Sequence, residues 1–232
     1  PPPHPFDPCF RFGVSFGPTN AAALRIRPAD LPVIGIMRID YSYPPALGDA
    51  VHPNSYLYRT PHATVTGLSF AEAQAGAPLT DEMRAAMADS ITSLESQPGL
   101  MGIAGDCGFL MHYQREVVSL CKRVPCFVSA LLQASLLAAL YAPEQKILIL
   151  TANGPALTPS LPQLLRMSGV PAAQAGRFLV AGCEGLDGFD AVALGEEVNV
   201  AAVGPLVVDL VTRRLRGDPK IACVLLECTR LP

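Results

Sequence analysis

The sequence predicts an α/β protein of two pseudo-symmetric lobes, each with a mainly parallel sheet flanked by helices, and an active site in the cleft between them. From residue 33 onward, short β-rich apolar runs alternate with stretches of helical period. Most of these runs are apolar almost throughout, which is typical of parallel strands buried on both faces. The order strand, strand, cysteine-ended strand occurs twice, ending at Cys107 and again at Cys228.

Apolar runs and helical periods define the individual elements. The predicted strands are VIGIMRID (33–40), ATVTGL (63–68), LMGIAGD (100–106), PCFVSA (125–130), KILILTA (146–152), RFLVAGC (177–183) and ACVLLEC (222–228). Residues 80–96 are predicted to form a surface helix, because Thr80 is a typical N-cap and acidic residues follow it. Residues 108–123 and 199–218 repeat apolar residues at three and four, so both are predicted to be amphipathic helices, the second ending at Gly217.

These patterns divide the chain into three regions. Residues 1–32 are rich in proline without any period and are predicted to form an N-terminal extension. Residues 33–130 are predicted to form the first lobe and residues 131–232 the second. The second lobe lacks the helix and strand that follow the cysteine in the first. We therefore expect the native gene to continue past Pro232, or another segment to fill that position in the sheet.

Composition excludes several classes of partner. Charged residues make up 16% of the chain and the net charge is −3, so no nucleic-acid partner is expected. The longest apolar run, residues 129–141, is too short to cross a bilayer, so no membrane partner is expected. The same run favours burial against another subunit, which predicts a homodimer. The seven cysteines are spread through apolar segments, which predicts reduced thiols and a cytoplasmic protein.

Cys107 and Cys228 are the candidate catalytic residues. Each follows an apolar strand and an acidic residue, and ligands of open parallel sheets bind beyond the carboxyl ends of the strands. A helix that begins at each cysteine is expected to lower the pKa of its thiol. Facing lobes would bring the two sulfurs to one cleft from opposite sides, as removal and replacement of a proton at one carbon requires. The roles of the preceding Asp106 and Glu227 stay open between bonding the loop backbone and orienting the catalytic groups.

Core filling is the alternative for any single cysteine, because free cysteine usually behaves as a small buried hydrophobe. The matched positions of Cys107 and Cys228 favour chemistry instead. Cys121 and Cys126 are too widely spaced for a Cys-x-x-Cys pair, so no metal site is predicted. No Gly-x-Gly-x-x-Gly or Walker pattern follows any strand, so no nucleotide cofactor is predicted.

The segments DCGFL, LLECTRLP, IGIMRID, ILILTANG and GCEG resemble the aspartate/glutamate/hydantoin racemase superfamily, from about Val33 to the end of the chain. The most specific part is Cys228 with Thr229, which resembles the Cys-Thr of the second cysteine motif. The Asp-Ser-Gly pattern of glutamate racemases is absent, and DYSYP stands in its place. The overall spacing is most similar to an Asp/Glu racemase-like branch of unassigned substrate.

The resemblance implies two α/β lobes, no cofactor, and exchange of the substrate's α-proton by a thiol/thiolate pair, Cys107 and Cys228. Arg230, a permanent cation beside the second cysteine, is predicted to hold a substrate carboxylate or to lower the pKa of Cys228. With Arg230 included, the residues expected to bind substrate are Asp40, Gly108, Thr151, Asn153, Thr229 and Arg230.

We therefore expect an isomerase, specifically a cofactor-independent racemase or epimerase whose partner is a small carboxylate or hydantoin-like substrate. Two alternatives stay open. One is another reaction on the same scaffold, such as maleate-type isomerisation or malonate decarboxylation. The other is a non-catalytic binding or assembly protein that descends from the same fold.

Overall fold

A computed structural model describes residues 31–231 of the chain. The prediction of an N-terminal extension falls almost entirely on residues 1–30, which lie outside the described residues. Within the described part, two parallel sheets are flanked by helices, which confirms the predicted α/β fold with two lobes.

The first sheet has the strand order β2-β1-β3-β4, and every pair in it is parallel. Its strands are β1 (Val33–Asp40), β2 (His62–Ser69), β3 (Leu100–Gly105) and β4 (Cys126–Phe127). The second sheet has the order β6-β5-β7 and is also parallel. Its strands are β5 (Lys146–Thr151), β6 (Phe178–Gly182) and β7 (Ile221–Leu226).

The strand predictions are confirmed to within about two residues at every end except that of β4, which is shorter than predicted. The β4 ladder stops because the Val128 amide donates to Gln114 Oε1 instead of a neighbouring strand, at 3.1 Å. Ser129 then accepts a hydrogen bond from the Leu131 amide and begins a 3₁₀ turn, Ala130–Gln133. The apolar run 129–141 is therefore this turn followed by a short helix, α4 (Ala134–Leu140).

The helices cover the faces and ends of the sheets. They are α1 (Phe70–Ala75), α2 (Asp81–Glu95), α3 (Gln114–Leu120), α4, α5 (Gly154–Met167), α6 (Ala191–Leu194) and α7 (Val200–Gly217). The helix predicted after Thr80 is α2, and the Thr80 side chain accepts from the Met83 amide as expected of an N-cap. Helix α7 ends at Gly217 as predicted. Among the described residues, no helix combines the length and the apolar character needed to cross a bilayer.

One predicted helix is wrong in detail. Residues 108–123 form a 3₁₀ segment, Gly108–Tyr113, followed by α3, rather than one amphipathic helix. Five of the six residues in the 3₁₀ segment are buried, so it has no solvent face and does not lie on the surface. The polypeptide directly after Cys107 is consequently enclosed by both lobes.

Helix α5 joins the two lobes. A single hydrophobic core contains Met37 and Ile103 of the first sheet and Ile149 of the second, and α5 adds Leu157 and Leu164 to it. Because the sheets share this core, the carboxyl ends of their strands are held facing each other, which is where the candidate site lies.

Candidate active site

A buried pocket lies where the segments that follow β1, β3 and β7 meet. It holds about 400 Å³ of empty space, mouth included. Its chemically active wall residues are Asp106, Cys107, Glu227, Cys228, Thr229 and Arg230, and its aromatic wall residues are Tyr41, Tyr43, Phe70 and Phe109. The fold therefore brings the two predicted cysteine motifs, which are far apart in the chain, into one pocket.

Cys107 and Cys228 occupy matched positions in the two lobes. Cys107 lies two residues beyond the end of β3, and Cys228 lies two residues beyond the end of β7. Both thiols are free and both line the pocket. The Arg230 amide donates to Cys228 Sγ at 3.4 Å.

The expected lowering of the thiol pKa values is wrong. Burial raises the pKa of Cys107 well above its ordinary value, and the neighbouring Asp106 and Glu227 add to that effect. Burial and Glu227 raise the pKa of Cys228 to about 12, against a smaller lowering by Arg230. Neither cysteine lies at the start of an α-helix as predicted, because a 3₁₀ segment follows Cys107 and only a turn follows Cys228. Without a helix dipole, desolvation of the thiolate decides the direction.

Glu227 is a buried carboxyl group with a relative exposure of 1%. Its Oε2 accepts a hydrogen bond from Thr151 Oγ1 at 2.7 Å, while its Oε1 is buried without a hydrogen-bond partner. Burial raises the pKa of Glu227 to about 7, even though the Thr151 hydroxyl favours the ionised form. Glu227 therefore joins the ends of β5 and β7 and holds a proton near neutral pH.

Asp106 is buried as well, but both of its carboxylate oxygens are bonded. The Ile39 amide donates to Oδ1 at 3.1 Å, and Arg38 Nε lies 3.4 Å from Oδ2. Burial raises the pKa of Asp106 to about 7, against the lowering by these two donors. The Thr229 hydroxyl donates to the Asp106 backbone carbonyl, so the two cysteine motifs are bonded to each other directly.

Arg230 lies at the pocket, but its guanidinium is bound by the protein. Nη1 donates to the Val192 carbonyl at 3.2 Å, and Nη2 donates to the Glu196 carbonyl. The Tyr43 ring lies 4.0 Å from the guanidinium carbon, and Asp49 forms an ion pair with Nε at 3.8 Å. A bidentate grip on a substrate carboxylate would have to break these contacts, so the structure gives Arg230 a positioning role.

Three of the residues expected to bind substrate do not line the pocket. Asp40 is exposed, and its Oδ2 accepts from the Gly67 amide at 2.9 Å. Asn153 caps α5 by accepting from the Ala156 amide at 3.1 Å. Thr151 reaches the pocket only through Glu227. Their side chains serve local structure, so of the six expected residues only three line the pocket, namely Gly108, Thr229 and Arg230.

The aromatic wall was missed by sequence reasoning. Tyr41 stacks on Phe70 with ring centroids 5.0 Å apart, and Tyr43 lies 5.6 Å from Tyr41 on its other side. The Tyr41 hydroxyl donates to the Val192 carbonyl at 2.7 Å, which fixes the ring across the two lobes. The available signal was DYSYP itself, because two tyrosines directly after a buried strand place aromatic rings at its carboxyl end.

Metal binding finds no support in the described residues. Between residues 31 and 231, no group of three or more His, Cys, Asp or Glu side chains is arranged to hold a metal ion. The pocket wall offers thiols, carboxyl groups, a guanidinium and aromatic rings.

Comparison with known proteins links the chain to lyases. No family model matches it. It is 50% identical over 203 residues to dimethylsulfoniopropionate lyase 5 of Emiliania huxleyi, which covers 87% of this chain and 40% of that protein. It is 40% identical to dimethylsulfoniopropionate lyase 3 of the same organism, over 88% of this chain and 53% of that protein. It is 34% identical to a dimethylsulfoniopropionate lyase of Durusdinium sp. clade D, over 86% of this chain and 65% of that protein.

The chain thus spans about half the length of the curated relatives it matches. Among solved structures, the crystal structure of arylmalonate decarboxylase matches with a TM-score of 0.48 and 19% identity, over 87% of this chain and 79% of that chain. Similarity at this level does not indicate a shared activity.

These findings correct the expected function. Racemase and isomerase activity is contradicted, because the relatives that share up to half of this sequence are named lyases. The open alternative of another reaction on the same scaffold agrees better with them. The two-lobe α/β arrangement implied by the racemase resemblance is present. The homodimer and the cytoplasmic location stay predictions.

Proposed function

We propose that this chain carries the active site of a lyase that cleaves dimethylsulfoniopropionate into dimethyl sulfide and acrylate. The names of its relatives support this substrate. The observation that carries the proposal is the pocket, in which two free thiols and four aromatic rings line about 400 Å³ of space that includes the open mouth. It offers a base and a surface for a small apolar cation in one enclosed space.

The proposed substrate is a propionate with a dimethylsulfonium group on its third carbon. A base that removes a proton from the second carbon leaves an electron pair there. That pair forms the carbon–carbon double bond while the carbon–sulfur bond breaks, and the electrons of that bond stay on sulfur. The products are neutral dimethyl sulfide, acrylate and the protonated base, whose proton passes to solvent when the next substrate molecule binds.

Cys228 is the thiol that we assign as the base. The Arg230 amide donates to its Sγ, and the Arg230 guanidinium favours the thiolate, whereas Cys107 lies beside Asp106 and Glu227. Burial keeps the thiol protonated in the free protein. A bound sulfonium cation favours a thiolate beside it, so the substrate itself lowers the pKa of Cys228. Cys107 forms the facing wall and need not take the proton.

The aromatic wall suits the sulfonium end of the substrate. The faces of aromatic rings attract cations, and the attraction grows when water is excluded. Tyr41 and Phe70 stack on each other at the pocket wall, whereas the Tyr43 ring already contacts the Arg230 guanidinium. A dimethylsulfonium group placed against this wall gains both cation–π attraction and burial of its methyl groups.

Headspace gas chromatography of dimethyl sulfide and NMR of acrylate test the proposal. We expect the purified protein to release both products from dimethylsulfoniopropionate in equal amounts. Cys228→Ser should lower kcat/KM about 10³-fold, because a positioned base contributes about 10²- to 10⁴-fold. Cys107→Ser should lower it about tenfold.

Cys223→Ser is the matched control, since Cys223 lies on β7 outside the pocket wall and should leave the rate unchanged. The proposal is wrong if the wild-type protein releases neither product, or if Cys228→Ser retains the wild-type rate.

A further inference from the structure

We infer that Glu227 binds the substrate carboxylate as a neutral acid, donating a hydrogen bond from the proton on its Oε1. The inference rests on the proposed function, since it concerns the carboxylate end of that same substrate. It gives a residue that lies outside the expected substrate-binding set a direct contact with the ligand.

The two carboxyl oxygens of Glu227 have different surroundings. Oε2 already accepts a hydrogen bond from the Thr151 hydroxyl at 2.7 Å, so it acts as the acceptor oxygen. Oε1 is buried without a partner and packs against Gly108, where an added Cβ would lie only 2.0 Å from it. Glu227 and Gly108 both line the pocket. A buried polar atom without a partner is costly, and a ligand that pairs with it recovers that cost.

The carboxyl group of Asp106 has different hydrogen-bond partners from that of Glu227. It is the other buried carboxyl group of the pocket wall, yet the Ile39 amide and Arg38 donate to both of its oxygens. Two donors favour the ionised form of Asp106 more than one donor favours that of Glu227, although burial raises the pKa of both groups to about 7. Glu227 has one donor and one free oxygen, which is the arrangement that suits a protonated carboxyl group.

The negative charge of the substrate carboxylate also requires Glu227 to be neutral. A carboxylate ligand in this pocket meets Asp106, and the guanidinium of Arg230 is bound by protein carbonyls and by Asp49. An ionised Glu227 would carry a negative charge of its own and repel the ligand. A protonated Glu227 removes that charge and supplies a donor. Burial, which raises the pKa of Glu227 to about 7, agrees with this state at neutral pH and below.

Other groups near Glu227 can also titrate or carry charge. They are Asp106 and Cys107 from the segment after β3, Tyr41 and Tyr43 from the segment after β1, Cys183 after β6, which lies near Cys228, and Cys228 and Arg230 from the segment of Glu227 itself. Burial holds the pKa of Cys228 at about 12 and that of Cys183 at about 12, so neither thiol titrates between pH 6 and 8. Asp106 does titrate there, so only a comparison with a Glu227 variant isolates Glu227.

A donor at this position also acts on the reaction. Removal of the α-proton moves negative charge onto the carboxylate oxygens of the substrate. A hydrogen bond from a neutral acid strengthens as that charge develops. Glu227 thus lowers the energy of the carbanion-like state as well as binding the ligand.

Isothermal titration calorimetry with propionate tests the inference, because propionate carries the carboxylate but cannot react. Titrations at pH 8 in two buffers of different ionisation enthalpy give the number of protons taken up on binding. Wild-type protein should take up as much as one proton more per bound propionate than Glu227→Gln does. The Kd of the wild-type protein should rise about fivefold between pH 7 and 8, relative to the variant. The glutamine amide keeps a donor at the Oε1 position and an acceptor for Thr151, so the variant should still bind propionate.

Glu184→Gln is the control, since Glu184 is an exposed carboxylate after β6 that does not line the pocket. It should show the wild-type proton uptake. Equal uptake in wild type and Glu227→Gln overturns the inference, and so does failure of the wild-type protein to bind propionate at pH 6.

The cleavage assay separates this inference from the proposed function. Proton uptake that depends on Glu227, in a protein that leaves dimethylsulfoniopropionate intact, supports the carboxylate contact and rejects the lyase. Cleavage of dimethylsulfoniopropionate with a KM that has the same pH dependence in wild type and Glu227→Gln supports the lyase and rejects the contact.

Discussion

At the scale of single residues, close approach between the lobes depends on Gly108. A Cβ at this position would lie 2.0 Å from Glu227 Oε1 and 2.4 Å from the Glu227 backbone carbonyl oxygen. The side-chain oxygen could rotate away, but the backbone oxygen could not. Gly108 is needed here for space rather than for an unusual backbone conformation.

Gly108→Ala should therefore destabilise the protein and displace the pocket wall. We expect a loss of about 3 kcal/mol in the free energy of unfolding, as for overpacked core sites. We also expect kcat/KM to fall at least about 10²-fold, because a shift of about 1 Å in the wall is enough for that. Urea denaturation and the dimethyl sulfide assay measure the two effects. Gly185→Ala, at a position with open space around it, should change neither.

At the scale of elements, the short helix α4 is tied to the second sheet by a single side chain. Arg177, which is 7% exposed, donates to the Gln145 carbonyl at 2.8 Å and to the Ala138 carbonyl at 3.2 Å. It also donates to the Tyr141 carbonyl at 2.9 Å and to the Ala142 carbonyl at 2.6 Å. One guanidinium thus satisfies the carbonyl groups where α4 ends and the chain enters β5.

Arg177→Lys should destabilise the protein by about 2 to 3 kcal/mol, although the charge is retained. A lysine ammonium cannot reproduce the planar set of donors, so buried carbonyl groups lose their partners. Denaturation measured by circular dichroism tests this. The exposed Arg166→Lys on α5 is the control and should stay within about 0.5 kcal/mol of wild type. A similar result for both variants would show that the Arg177 contacts contribute little.

Helix α5 could not be predicted from the spacing of its apolar residues. It contains Pro159 and Pro162, and Pro155 lies in its first turn, so the sequence pattern shows turn residues rather than a helix. Burial of its leucines in the shared core overrides the cost of these prolines. By contrast, α2 was predicted from its N-cap Thr80 and the acidic residues that follow, and α7 from apolar residues that repeat at three and four, although α7 also contains Pro205.

At the scale of the whole molecule, burial of two carboxyl groups makes stability depend on pH. Burial raises the pKa of Asp106 from 3.8 and that of Glu227 from 4.5, in each case to about 7. Between these values the folded protein holds the protons and the unfolded chain has lost them. Raising the pH therefore favours the unfolded chain until the folded groups ionise as well.

Comparison of the wild-type protein with Glu227→Gln should show this directly. The free energy of unfolding of wild type, relative to the variant, should fall by about 1.4 kcal/mol per pH unit from pH 5 to 7 and level off above pH 8. Urea denaturation at four pH values between 5 and 8 measures the difference. Exposed carboxylates whose ionisation stabilises the folded protein are present in both proteins, so their effect on the free energy of unfolding cancels in the comparison. A difference that is constant or that rises with pH would contradict the raised pKa of Glu227.

The strands, their parallel pairing, the repeat of the two lobes and the two cysteines that meet in the pocket were all predictable from the amino-acid sequence. These properties follow from local periodicity and from position relative to strand ends, and both are visible in a linear chain. The pocket membership of Gly108, Thr229 and Arg230 was expected from the resemblance to the racemase superfamily. The racemase interpretation was wrong because thiols at these positions do not specify which bond breaks.

The protonation and the partners of the pocket residues could not be predicted from the sequence, because both depend on the folded structure. Desolvation depends on what surrounds a group, so the sequence could not show that the thiol pKa values are raised or that Glu227 keeps a free oxygen. Tyr41 meets Phe70 only because β1 and β2 end at the same edge of one sheet, and the guanidinium of Arg230 is bound through loops that are distant in the chain. Contacts between distant segments set the electrostatics of the site, and such contacts exist only once the chain has folded.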